Sequence, residues 1–205
     1  MRDDSRTDRK QFIATGFTAM AACLFRSEVT MEPQMRDSKM PPLSMESLYS
    51  TSVSATSLTG EAADRVAIRE LIDAWAYCAD RRLAERQAAL FTPDGMVVVY
   101  EGDSATHKPT STLRGHAEII SALGVLNKYG ATTHFNGQSD ILIQGERAIG
   151  ESYCLAHQLW EESGQRKLQI LAIRYRDKFA REGNRWLFAE RQLIIDWSDT
   201  RPSVP

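Results

Sequence analysis

The stretch Ala131-Thr132-Thr133-His134-Phe135-Asn136-Gly137-Gln138-Ser139 decides the fold, because it sets a histidine and two amides at alternate positions of what reads as a strand. In an extended chain successive side chains point to opposite faces, so His134, Asn136 and Gln138 fall on one face. The strand runs on into Ile141-Leu142-Ile143 and therefore belongs to a sheet with a core. Its polar half is expected to point into a cavity, opposite Asp80. Ile141 and Ile143 have the other parity. An extra residue near Gly137, a β-bulge, reconciles the two halves and bends the sheet around that cavity.

Downstream come three more strand-like runs, Ala148 to Trp160, Lys167 to Ala180 and Arg185 to Trp197, joined by connectors of hairpin composition. In the last run Leu187, Ala189, Arg191, Leu193, Ile195 and Trp197 alternate onto one face. Arg191 is thus a charge among apolar neighbours and needs a partner, which Glu190, Asp196 or a substrate anion could supply. Arg174, between Ala172 and Arg176 two places to either side, is placed similarly.

Upstream the pattern is helical. Val66, Ile68, Leu71, Ile72, Trp75 and Ala79 form one apolar stripe, with Asp64, Arg65, Arg69, Glu70 and Asp73 largely outside it. Tyr77 and Asp80 close this helix. A carboxylate gains nothing from the negative end of a helix macrodipole, so Asp80 is not placed there as a cap. The plain alternative is a turn aspartate pairing with Arg81 or Arg82. Leu83 to Phe91 reads as a second, short helix, Thr92-Pro93-Asp94-Gly95 as a turn, and Met96 to Tyr100 as a strand. Residues 101–112 form a polar loop able to act as a rim or lid, with His107 exposed. A third helix opens at Arg114, carries Ile119, Ile120, Leu123 and Leu126 on its apolar face, and stops at Gly130. Helices first and an antiparallel meander after them make an α+β fold, a curved antiparallel sheet wrapped over N-terminal helices.

The 205 residues, 42% hydrophobic and 25% charged, suffice for one full core. A net charge of −2 with acids and bases scattered offers no basic stripe for a phosphate backbone, which argues against nucleic acid as a partner. Cys23, Cys78 and Cys154 have neither disulfide-framework nor metal-ligand spacing, and no glycine-rich phosphate loop follows a strand. No metal and no cofactor is expected.

The chain is uneven. Six of its seven methionines lie within the first 45 residues, all four tryptophans come after residue 60, and Ser44 to Gly60 reads as a solvated linker. Residues 1–60 are therefore set apart as a signal-like segment and disordered linker, and 61–203 as the folded domain. Arg9-Lys10-Gln11-Phe12-Ile13 leads into an apolar run, residues 14–25, too short to span a bilayer. It resembles a bacterial twin-arginine export signal with Ala19-Met20-Ala21 as a cleavage site, and Met20-Ala21-Ala22-Cys23 resembles a loose lipoprotein box that would put a lipid anchor on Cys23. Two readings stand: export to the periplasm, or an upstream extension before a later start such as Met31 or Met45, with a cytoplasmic protein.

Taken in order, Tyr77-Cys78-Ala79-Asp80-Arg81-Arg82, Leu90-Phe91-Thr92-Pro93-Asp94-Gly95, Leu113-Arg114-Gly115-His116, Thr133-His134-Phe135-Asn136 and Arg185-Trp186-Leu187-Phe188 resemble the SnoaL-like branch of the nuclear transport factor two-like superfamily. The resemblance implies a cone-shaped α+β barrel. Asp80 and His134 are similar in position to the aspartate–histidine dyad of that superfamily's lyases, hexachlorocyclohexane dehydrochlorinase and scytalone dehydratase among them. It implies a cofactor-free lyase or isomerase, of dehydratase, dehydrohalogenase or ketosteroid-isomerase type, acting on a small, largely apolar substrate. His134 would take a proton from carbon and Asp80 would orient and balance it. Tyr77, Trp75, Asn136, Gln138, Arg191 and Trp197 are the expected substrate-binding residues. Trp75 stands where the dehydrochlorinase carries a charge, and His157 is the one candidate for a second pocket histidine. The superfamily also holds non-catalytic members, so a small-molecule-binding or assembly domain is the other class of function. A curled sheet over helices leaves an outer face bare, from which a homodimer or higher oligomer is expected.

Overall fold

The structure, a computed structural model, describes residues 59–204. The signal-like segment, Cys23 and all but the end of the linker lie outside the described residues. Helix α1 spans Gly60–Asp80 with Thr59 as its N-cap, and buries Ile68, Leu71, Ile72, Trp75, Ala76, Cys78 and Ala79. Ile68, Leu71, Ile72, Trp75 and Ala79 lie on the stripe that the spacing marks out; Ala76 and Cys78 extend it, and Val66 is only partly buried. Ile68, Leu71, Ile72 and Trp75 each contribute roughly 1.5–3 kcal/mol of apolar burial. None of the described helices is long and apolar enough to cross a membrane.

After α1 come α2 (Ala84–Ala88), β1 (Phe91–Glu101), β2 (Ser111–Arg114), α3 (Gly115–Leu123), a 3-10 turn (Gly124–Lys128), β3 (Ala131–Gln144), β4 (Arg147–Glu162), β5 (Gln165–Glu182) and β6 (Arg185–Pro202). The six strands form one curved, open sheet in the order β2-β1-β6-β5-β4-β3. This is the α+β fold expected, with two refinements. Strand β1 pairs with β6 in parallel, while the other four pairings are antiparallel. Thr92 to Gly95 does not turn the chain but lies inside β1, where the pairing with β6 slips between Phe91 and Met96. The polar loop ends in the short edge strand β2, and Arg176 Nη1 holds it at Ser104 Oγ, 3.4 Å away.

Helix α1 lies along β3, the last strand of the sheet, and polar contacts tie the two at each turn. Arg65 Nη1 donates to Ile141 O at 2.8 Å and Arg69 Nη1 to Gly137 O at 2.9 Å. Asn136 Nδ2 donates to Asp73 Oδ1 at 2.9 Å, and Asp80 reaches Thr132 and His134. The open edge of the sheet is thus covered, which removes a template for strand addition. At the helix's other end Trp186 Nε1 donates to Asp64, which also pairs with Arg181.

Register decides which side chains face the helix. Between Asn136 and Ser139 two β3 residues oppose a single one of β4. The expected bulge is there, and Ile141 returns to the buried side. Strand β6 has two slips of the same kind, opposite Lys178/Phe179 and opposite Ala172/Ile173. Its face is therefore not the continuous one that alternation gives: Phe188, Arg191, Leu193 and Ile195 line the helix side, while Trp197 pairs with Ala172 on the other.

Candidate active site

Asp80 is the last residue of α1, and His134 is the fourth residue of β3. Their side chains meet, with His134 Nδ1 2.7 Å from Asp80 Oδ1. Asp80 Oδ2 accepts the His134 backbone N–H at 2.9 Å, and Oδ1 also accepts the Thr132 hydroxyl at 2.9 Å. A carboxylate fed by three donors is held as an acceptor, so the proton between Asp80 and the ring sits on Nδ1. Nε2 is left with its lone pair, and no hydrogen bond occupies it among the described residues. Only 8% of the His134 side chain and 23% of the Asp80 side chain are exposed. Burial opposes ionisation of Asp80, but the hydrogen bonds from the His134 ring and backbone, the positive charge that the ring carries when it is protonated and the Thr132 hydroxyl outweigh it. The Asp80 pKa is held below the ordinary carboxylate value.

The remaining residues singled out by sequence scatter. Asn136 shares the His134 face, but its amide nitrogen is committed to Asp73 Oδ1 and, at 3.3 Å, to Ile72 O. Gln138 does not share that face: the bulge turns it to the exposed side and Ser139 takes the inner place, opposite buried Ser152. Trp75 is a core residue, edge-on to Phe91 at 5.6 Å. Tyr77 is half-buried, with the Arg81 guanidinium 5.5 Å from its ring centroid. Trp197 is 54% exposed on the far side of the sheet, because the second slip in β6 flips it.

Arg191 has a partner other than those its neighbours in sequence suggest. Neither Glu190 nor Asp196 meets it; its Nε and Nη2 donate to Asp177 Oδ1 and Oδ2 at 2.8 and 2.7 Å, and both side chains are buried. Asp177 stands directly across from it on β5. The guanidinium also lies 4.0 Å from the Tyr175 ring centroid and 4.1 Å from that of Phe188. Asp196 pairs with Arg174 instead, at 2.6 Å.

His157 pairs with Thr133 and so lies on the outer face, away from His134. Cys154 does face inward, across from Asn136. Burial pushes its thiol up to about 11, so it is a protonated thiol at neutral pH and a poor nucleophile. No group of three or more His, Cys, Asp or Glu side chains converges to hold a metal ion among the described residues. Two cavities, of about 380 and 600 Å3, open on the outer face around Leu142, Ile149 and Lys178, and neither is lined by Asp80 or His134.

Two members of the site escaped the sequence reading. Thr132 has the parity of His134 and sits two residues before it. Arg82 follows the helix in the place where a glycine is usual; its backbone φ is +59° and its guanidinium donates to Thr132 Oγ1 at 2.7 Å. Parity carried a signal for the first. The second was read in the sequence only as a turn partner for Asp80.

A model of the SnoaL-like domain matches residues 60–192 of the chain. Among solved structures, a candidate scytalone dehydratase from Novosphingobium aromaticivorans is 22% identical with a TM-score of 0.57, over 66% of this chain and 86% of that one. Hexachlorocyclohexane dehydrochlorinase (LinA) type 2 is 18% identical with a TM-score of 0.57, over 70% of this chain and 90% of that one. The β subunit of a candidate aromatic-ring-hydroxylating dioxygenase, also from N. aromaticivorans, is 20% identical with a TM-score of 0.55, over 65% and 90%. At these identities the likeness is one of fold. No curated protein matches the sequence.

Proposed function

The chain belongs to the SnoaL-like domain family, and on that footing we propose that it is a cofactor-free lyase or isomerase in which His134 abstracts a carbon-bound proton from a small, largely apolar molecule. One observation carries the reading: Asp80 occupies Nδ1 of His134 at 2.7 Å and leaves Nε2 as the ring's only available lone pair. Nε2 takes the proton, and the C–H electron pair becomes a new C=C bond. In an elimination the leaving group departs with its own electron pair; in an isomerisation the imidazolium returns the proton to another carbon. Asp80 orients the ring throughout and balances the positive charge that forms on it. The neighbours named for a dehydratase and a dehydrochlorinase supply the precedent for elimination on this fold.

A screen of small cyclic ketones, hydroxysteroids and haloalkanes, with proton exchange at acidic carbons followed by NMR, tests the proposal. His134→Gln is expected to lower turnover by at least roughly a hundredfold, the lower end of what a general base contributes, while the circular dichroism spectrum stays that of the wild type. Wild-type turnover in that variant would end the lyase reading. The second reading, an assembly or binding domain, is favoured by the apolar outer face of the sheet and by the use of this fold in a dioxygenase β subunit.

A further inference from the structure

We propose that Gln158 is a specificity-determining residue of the His134 site, its side-chain oxygen accepting a hydrogen bond from a hydroxyl group on the substrate. The inference rests on the reading of the His134 face as the place where substrate binds. Cross-strand register lays that face out in rows. Thr132, Gln158, Gln169 and Thr200 lie across from one another on β3, β4, β5 and β6, and His134, Ala156, Leu171 and Ser198 form the next row. Side chains directly across from one another share a face of the sheet, as do those two places along a strand, so Gln158 stands on the His134 side. The two are diagonal neighbours, with Cα atoms roughly 7–8 Å apart, a span that long side chains bridge.

Gln158 is only 7% exposed, yet its Oε1 has no hydrogen-bond partner. Burying an amide oxygen without a donor opposes folding, so buried side-chain amides are almost always bonded. The neighbouring side chains do not supply the donor. Thr132 gives its one hydroxyl hydrogen to Asp80 Oδ1, while its oxygen accepts from Arg82 Nη1. Helix α1 ends level with these rows, at Asp80, whose carboxylate can only accept. Gln169, across from Gln158 on β5, does not reach Oε1. A molecule set against this face with a carbon at His134 Nε2 rests on Ala156 and Leu171 of the same row, and its next atoms along the sheet meet the Gln158 oxygen. An acceptor there selects a donor, and a hydroxyl is a donor that a small apolar body carries without charge. A halogen in the same place sets lone pairs against lone pairs. A hydroxylated substrate is thereby favoured over a haloalkane.

Binding tests this without turnover. Phenol, anisole and toluene are matched aromatic rings: phenol offers a hydrogen-bond donor, anisole an ether oxygen without one, and toluene neither. Each is titrated into the full chain labelled with nitrogen-15 in histidine, and dissociation constants are taken from the shifts of the His134 ring resonances. Phenol is expected to bind roughly tenfold more tightly than anisole or toluene, the scale of one hydrogen bond. Gln158→Leu, with an unchanged circular dichroism spectrum, should bring phenol to the level of toluene and leave the affinity for toluene as it was. Phenol and toluene binding alike to the wild type, anisole binding as well as phenol, or a phenol preference that survives in folded Gln158→Leu would overturn the inference. His134 resonances that none of the probes moves would overturn the reading of this face as the substrate site, and the inference with it. Hydroxyl-selective binding at His134 in a protein that turns over nothing in the activity screen would overturn the lyase reading alone and leave the role of Gln158 standing.

Discussion

Replacing Asp80 by asparagine separates the chemical role of the carboxylate from its structural one. Three donors converge on Asp80: the Thr132 hydroxyl and the His134 ring on Oδ1, and the His134 backbone N–H on Oδ2. An amide has one oxygen for them. The backbone N–H can neither rotate nor lose its proton, so the new carbonyl must turn to it. The NH2 then faces Oδ1's former partners, and each can adapt: the threonine hydroxyl rotates, and the imidazole moves its proton to Nε2 so that Nδ1 accepts. Only the Thr132 hydroxyl hydrogen loses its acceptor, so the stability cost should be roughly 1 kcal/mol, the net worth of one hydrogen bond. The base, however, is gone. A wrong tautomer of this kind costs about 10⁴ in kcat when a triad aspartate is replaced, equal to roughly 5.5 kcal/mol added to the activation barrier. Turnover of the substrate found by screening, urea denaturation and the histidine nitrogen-15 spectrum measure the three consequences. A variant that keeps activity within tenfold of wild type, or whose ring stays protonated on Nδ1, would refute the reasoning.

The same carboxylate sets an acid-side signature. Its folded pKa lies below the ordinary 3.8, so its contribution to stability is present above that value and is lost as pH falls through the folded pKa; denaturation curves of wild type and Asp80→Asn should converge at the acid end. Arg191→Met should cost roughly 3–5 kcal/mol, because it leaves Asp177 buried without its counter-charge, and adding Asp177→Leu should recover most of that loss in thermal unfolding. The outer face carries a line of apolar residues in register across four strands, Phe135, Leu155, Ala172 and Trp197. Sedimentation is expected to show a dimer or larger oligomer at micromolar concentration, and Phe135→Glu with Trp197→Glu should shift it to monomer without loss of secondary structure; a wild-type monomer would refute the assignment of this face.

The part of the fold legible in the sequence is the part written as periodicity. The stripe from Ile68 to Ala79 fixes the buried side of α1, and the four strand runs of the meander match β3 to β6 because their connectors carry turn residues and their interiors alternate. The bulge at Gly137 was legible too, since the parity of His134 conflicts with that of Ile141 and one extra residue settles the conflict. Where no parity conflict advertised itself, alternation misled. Ala189 and Asp196 are the extra residues of β6, each lies within an otherwise regular run, and each silently moves the residues after it to the other face. Trp197 left the inner face that way. Strand β1's parallel partner is likewise invisible locally, because the residues that fix it lie almost a hundred positions away.

The site divides along the same line, between what one strand or helix shows by itself and what two elements make together. A carboxylate at a helix C-terminus gains nothing from the macrodipole, yet locally a turn aspartate pairing with Arg81 or Arg82 accounts for Asp80 as well, and it stood out by its place in the order of motifs that resembles the SnoaL-like family. His134 stood out by its polar company on one strand face. Arg191 asked for a partner as well, but the choice depended on which β5 residue lies across from it, and the slip opposite Phe179 selects Asp177. Arg82 gave the faintest signal of all. Its role arises where a helix end, a turn carbonyl at Tyr129 and a strand hydroxyl at Thr132 come within reach of one guanidinium, and no one of these segments specifies it alone. The two residues that touch the expected chemistry were readable from the order of motifs along the chain, whereas those that hold them in place are brought together only when the chain is folded.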